Sequence, residues 1–197
     1  MVFDLGGGIL PTAYPFALWE ALIRHVPQLA EEKLVGVLPL RTAENNEGIL
    51  LPKRAKLVLR LPLALAAHAA ALSGQQLDVT ESTLRSGAVS LRLGKSKVRP
   101  IQPHPTLHAQ LVTGATDEML FLDGINAQLS KMGITARLIC GMRRTLAGAQ
   151  QSIHGYSLVI HDLKPEASLQ LQYAGLGEGR QFGCGIFVPY KVISGLE

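Results

Sequence analysis

Apolar positions recur along this chain in two periods, and the switches between them set out its elements. Val2 to Leu5 reads as a first strand, closed by Gly6-Gly7-Gly8. Pro15 to Arg24 reads as a helix, with Phe16, Trp19, Ala21, Leu22 and Ile23 supplying a broad apolar face. Pro27 cannot continue that helix, so a kink or restart is expected at His25-Val26-Pro27, holding His25 near a helix end. Short strands follow over Val35 to Leu40 and Ile49 to Leu51, around a polar link from Arg41 to Gly48. A clearer strand lies at Lys56 to Leu61, polar at its ends. Pro62 to Ser73 is rich in alanine and leucine and predicts a helix. Leu77 to Val79 and Ala88 to Leu93 predict strands, the second with Arg92 on its polar side.

Pro100, Pro103 and Pro105 stiffen the next connection, and a domain boundary is expected there. Beyond it, Thr106 to Val112 predicts a strand and Thr116 to Met132 a helix, capped by Thr116 and ended by Gly133. Ile134 to Ile139 and Ser152 to Ile160 predict strands separated by a basic, glycine-containing link from Gly141 to Gly148. A short helix over Pro165 to Tyr173 leads into a glycine-rich stretch, Ala174 to Gly185, and a last short strand at Ile186-Phe187-Val188-Pro189. Strand, helix, two strands, helix, strand is the ferredoxin-like order. The expected class is therefore α+β, with tandem ferredoxin-like (RRM-like) domains at 1–100 and 101–197 and a C-terminal glycine-rich loop.

The glycine-rich loop follows a helix, whereas dinucleotide and nucleoside triphosphate sites need strand, loop, then helix, and Gly-Lys-Ser/Thr is missing. Two readings stay open. Its amides, at Gly177, Gly179 and Gly183, and the Arg180 guanidinium are placed to meet phosphates of a polymer; or the glycines form a hairpin that lets the last strand fit. The charge pattern also leaves two readings open, a positive potential facing a polyanion or a solvated edge. The formal net charge is +4, and no acidic residue occurs between Glu81 and Asp117, a gap holding Arg85, Arg92, Lys95, Lys97 and Arg99.

Composition narrows the class further. With 47% apolar and 17% charged residues, the 197-residue chain is a folded protein able to bury a core. Two cysteines, Cys140 and Cys184, are too few for a disulfide scaffold, and neither has metal-ligand spacing. Met1 to Leu10 does not read as a signal peptide, and no stretch is apolar for long enough to predict a membrane span, so a cytoplasmic location is expected.

Gly175-Leu176-Gly177 followed by Phe182-Gly183-Cys184-Gly185-Ile186-Phe187-Val188-Pro189 resembles the C-terminal signature of the CRISPR-associated endoribonucleases that cut precursor CRISPR RNA within its repeats. The likeness extends to Leu10-Pro11 and the helix from Phe16, to Thr106-Leu107-His108-Ala109, and to Arg143-Arg144 before the Ile153 to Ile160 strand. It is most similar to the small subtype named from Myxococcus systems. The resemblance implies two ferredoxin-like folds and metal-independent, cofactor-free cleavage of repeat RNA. It also implies 2′,3′-cyclic phosphate and 5′-OH ends, with the product retained beside other CRISPR effector subunits. An alternative is a non-cleaving crRNA-binding subunit of an effector or transposition-linked complex.

Such cleavage needs a base for the 2′-OH, an acid for the leaving oxygen and a cation near the phosphoryl oxygens. The family's histidine is expected at or just after the end of the first helix, where this chain has His25; relatives keep theirs nearer the position of Ala30. His25 also reads as a helix-terminal residue bonding a carbonyl. His154 is the second candidate and Tyr14 a possible orienting or proton-donating helper. The RNA-binding candidates are Arg180, Arg143 and Arg144, with Arg92, Lys95, Lys97 and Arg99 as a secondary patch.

Overall fold

A computed structural model of the chain describes residues 1–6, 8–45, 48–79, 89–148 and 150–190. Gly7, Glu81, Arg85 and Ala88, which entered the expectations above, lie outside the described residues. The chain divides into two compact units. The first holds Met1–Pro100, Leu146–Ser152 and Arg180–Gly183; the second holds Ile101–Thr145, Ile153–Gly179 and the segment from Cys184. Among the described residues, no helix is long and apolar enough to cross a membrane.

In chain order the first unit's elements are β1 (Val2–Gly6), β2 (Ile9–Leu10), α1 (Tyr14–His25), α2 (Gln28–Glu31), β3 (Gly36–Val37), β4 (Ala43–Asn45), β5 (Gly48–Leu50), β6 (Lys56–Arg60), a 3-10 turn (Leu63–Leu65), α3 (Ala66–Ala70), β7 (Gln76–Asp78) and β8 (Ser90–Lys97). Its main sheet runs β3-β6-β1-β8-β7, and β2-β5-β4 form a small second sheet. Phe3, Leu5, Leu57, Leu59, Leu91 and Leu93 meet Leu18, Ala21 and Leu22 of α1 in one core. α1 ends where Pro27 forbids continuation, and α2 restarts directly after it. The alanine-rich segment is helical only from Ala66 to Ala70, after a 3-10 turn that leaves Leu63 79% exposed; without an apolar face to bury there, propensity alone does not hold a longer helix.

The second unit contains β9 (Leu107–Thr113), α4 (Glu118–Lys131), β10 (Arg137–Ala147), β11 (Ser152–His161), α5 (Pro165–Ala174) and β12 (Val188–Pro189), with a 3-10 turn at Arg180–Phe182 belonging to the first unit. Its sheet runs β10-β11-β9-β12. Leu107, Ala109, Leu158 and Ile160 pack on Phe121, Ile125 and Leu129 of α4 and on Leu171 of α5. Every recorded strand pairing is antiparallel, and the fold is α+β, consistent with a ferredoxin-like architecture.

Three expectations change here. Asp117, not Thr116, caps α4: its Oδ1 accepts from the Leu120 amide at 3.0 Å, while the Thr116 carbonyl accepts from the Tyr156 hydroxyl at 2.6 Å. β10 does not stop at Ile139 but continues through Gly141, Arg143 and Arg144. Gly141 marks close approach rather than a break, because a Cβ there would collide with Ser157 Oγ on β11. The polar link from Arg41 to Gly48 also carries a strand, β4.

Candidate nucleic-acid interface

His25 is the last residue of α1 and is exposed. Its Nδ1 lies 2.9 Å from the Ala21 carbonyl oxygen, one turn earlier. A carbonyl only accepts, so Nδ1 carries a proton and Nε2 is the ring nitrogen left to exchange one. Fixing one nitrogen on the backbone sets the orientation of the other.

Tyr14 sits at the opposite end of α1, 11 residues from His25, or about 16 Å along the axis. It is buried, and its hydroxyl accepts from the Leu40 amide at 3.1 Å; burial pushes its pKa up against the smaller opposing effect of that bond. The structure therefore does not bring Tyr14 to His25. In the second unit His154 is exposed, with Nδ1 3.0 Å from Thr145 Oγ1.

The glycine loop is packed rather than open, and from Gly175 to Gly185 Glu178 is the one exposed residue. The Gly177 amide donates to Gln128 Oε1 at 3.0 Å and the Glu178 amide to Thr113 Oγ1 at 2.6 Å. The Gly183, Cys184 and Gly185 amides donate to Arg180, Gly179 and Leu111 carbonyls. Gly177 has φ 70°, and a Cβ there would press on the Thr113 carbonyl oxygen at 2.8 Å. The amides of Gly177 and Gly183 thus serve the protein's own bonding; Gly179 is half-buried, with φ 83° and Cys184 Cβ 3.3 Å from where its own would stand. Arg180 is likewise only 7% exposed, and its Nη2 donates to the Leu34 carbonyl at 3.2 Å. Phe182 packs against Phe16 with ring centroids 4.7 Å apart and planes tilted by 49°, about 14 Å of helix from His25.

Arg143 and Arg144 are both exposed on β10, the edge strand of its sheet. Arg92, Lys95, Lys97 and Arg99 are exposed as well. A register shift opposite Asp4 inserts an extra residue in β8, so that Arg92 falls opposite Gly6 and Lys97 opposite Val2. Phe3 and Leu5 are core residues, so Arg92 and Lys97, five apart, share the face away from it.

Lys56 and Arg60 of β6 join them, because Leu57 and Leu59 point inward. Lys56 is paired with Asp4, whose carboxyl is held below the usual range by that hydrogen bond and charge. Burial, with the Arg180 charge, brings Arg60 down to about 10. Asp78 lies at the β7 edge of this sheet. Lys56 and Arg60 are absent from the sequence-based candidates, although the polar ends of the Lys56 to Leu61 alternation carried the signal.

A protein-family model described as Cas6 Crispr matches residues 1–192. The chain is 34% identical over 191 residues to the CRISPR-associated endonuclease Cas6 of Myxococcus xanthus (strain DK1622), covering 96% of this chain and 80% of that protein. Among solved structures, a CRISPR associated protein Cas6 superposes with TM-score 0.65 at 13% identity, over 96% of this chain and 98% of that one. A protein of a Cas6-related gene from Pyrococcus furiosus gives 0.66 at 12%, over 95% and 96%. A RAMP protein described as binding different RNA substrates gives 0.62 at 14%, over 94% and 97%. At these identities the superpositions speak to the fold, while the near full-length family match and the Myxococcus relative speak to descent: the chain belongs to the Cas6 family of CRISPR-associated proteins.

Proposed function

We propose that this chain is an endoribonuclease that cleaves CRISPR repeat RNA without a metal ion, from two tandem ferredoxin-like domains, and keeps the crRNA product for an effector complex. Family membership across residues 1–192 is the observation that carries this reading. In the proposed reaction, His25 Nε2 takes the proton of the 2′-OH at the cleavage site. The 2′-oxygen attacks the adjacent phosphorus and the bond to the 5′-oxygen breaks. The products are a 2′,3′-cyclic phosphate and a 5′-OH, whose proton comes from solvent. Exposed cations on β8 and β10 hold the phosphates.

The test is single-turnover cleavage of cognate repeat RNA in excess chelator, with product ends determined. Cleavage to a cyclic phosphate is the expected result. Tight binding without cleavage would assign the chain instead as a non-cleaving crRNA-binding subunit. The footprint has its own check. The double change Arg143→Ala, Arg144→Ala is expected to weaken repeat binding and to flatten the slope of log affinity against log salt by about 1.5, since each lost phosphate contact removes about 0.7–0.9. An unchanged slope would take β10 out of the footprint.

A further inference from the structure

Leu107 and Ala109 of β9, and Leu158 and Ile160 of β11, point into the second unit's core, so Thr106, His108, Val159 and His161 occupy the opposite face of the sheet. Register builds a row there. His108 lies opposite Val159 on one side and Val188 on the other. On β10, Leu138 and Cys140 pack toward the core, which turns Ile139 to this same open face, 52% exposed. Beyond β12 the Tyr190 amide donates to the Thr106 carbonyl at 3.1 Å, and Tyr190, two residues after Val188, returns to the face at 45% exposure. Its ring stands 5.7 Å from that of His108, tilted by 45°.

We propose that this open face, centred on Tyr190 and His108 and flanked by Val159, Val188 and Ile139, is a stacking platform for unpaired nucleotides. Three features select single-stranded RNA over a protein surface. An exposed tyrosine ring beside a second flat ring offers a π-face to any base, the device used by open four-stranded sheets that bind RNA. Thr106 Oγ1 and His161 Nδ1, 3.2 Å apart, and Ser157 Oγ offer donors and acceptors to base edges and ribose hydroxyls. Positive charge is at hand in Arg143 and Arg144 on β10, while the Asp162 carboxylate is held by Arg137 at 3.5 Å. Burial, with the Arg144 charge, lowers the His108 pKa and so favours its neutral ring.

The assignment rests on the RNA-processing reading only for the identity of the polymer, and the test separates the two. The full chain is titrated into an eight-nucleotide unpaired oligoribonucleotide carrying one 2-aminopurine. Binding with fluorescence quenching is expected for the parent, with affinity lower by about tenfold in Tyr190→Ala and restored in Tyr190→Phe, because the ring and not the hydroxyl stacks. Shifts of the Tyr190 ring protons on titrating the parent give the same answer without a variant. Unchanged affinity in Tyr190→Ala with unmoved ring protons overturns the proposal. So does a parent dimer that Tyr190→Ala dissolves with RNA binding intact, which would give the face to a second copy. A parent that cleaves repeat RNA but ignores the unpaired oligonucleotide defeats this platform alone. One that binds the oligonucleotide through Tyr190 but never cleaves defeats the nuclease reading alone.

Discussion

His25→Ala is expected to slow single-turnover cleavage of repeat RNA by about 10²–10⁴-fold while repeat affinity stays within a few-fold. The asymmetry follows from the role. A base is used when the 2′-OH loses its proton, so its loss is felt in the transition state and little in the bound ground state. The helix end holds the ring ready: Nδ1 is bonded to the Ala21 carbonyl at 2.9 Å and the side chain is exposed. A purely structural His25 predicts something different, a loss of about 0.5–1.5 kcal/mol of stability for the missing hydrogen bond with the rate intact. Denaturant unfolding and cleavage measured on the same variant therefore separate the two roles. His154→Ala is the discriminating comparison. A parental rate in His25→Ala, with cleavage lost in His154→Ala at unchanged affinity, would move the base to His154.

The elements that were legible in the sequence are those whose cause is local. α1 ends at His25 because Pro27 stands two residues on, and α4 ends beside Gly133, whose φ of 68° suits glycine. Other features have causes far away in sequence. β10 passes through Gly141 because Ser157 lies opposite, a neighbour that no local period announces. β2 and β4, of two and three residues, are too short to show a period at all. The partners of the glycine-loop amides, Gln128 for Gly177, Thr113 for Glu178 and Leu111 for Gly185, are likewise brought there only by the fold. The basic face of the first unit is an intermediate case. Lys56 and Arg60 were visible as the polar ends of an alternation, but their alignment with Arg92 and Lys97 depends on the irregularity opposite Asp4.

Gly185→Ala is expected to destabilise the second unit by about 3–5 kcal/mol, and Gly133→Ala by only about 1–2 kcal/mol. Both glycines belong to that unit, so one unfolding transition reports on both. Both also have left-handed backbones, φ 64° and 68°, so the intrinsic penalty for a side chain is shared. Their surroundings differ. A Cβ at Gly133 meets nothing within 4 Å, whereas one at Gly185 would overlap the Leu176 carbonyl oxygen. The backbone there is not free to retreat: the Gly185 amide donates to Leu111 at 2.7 Å, and its carbonyl accepts from Leu176 at 3.3 Å. Moving away from Leu176 would break those bonds beside the buried Leu176, Ile186 and Phe187. Guanidinium unfolding of the two variants isolates the collision from the dihedral cost. A large gap between them means that this glycine of the family signature is required by the fold, and RNA affinity of the folded Gly185→Ala protein should then match the parent. Equal losses would show that the loop yields to a side chain, and would favour a ligand-facing role for the signature glycines.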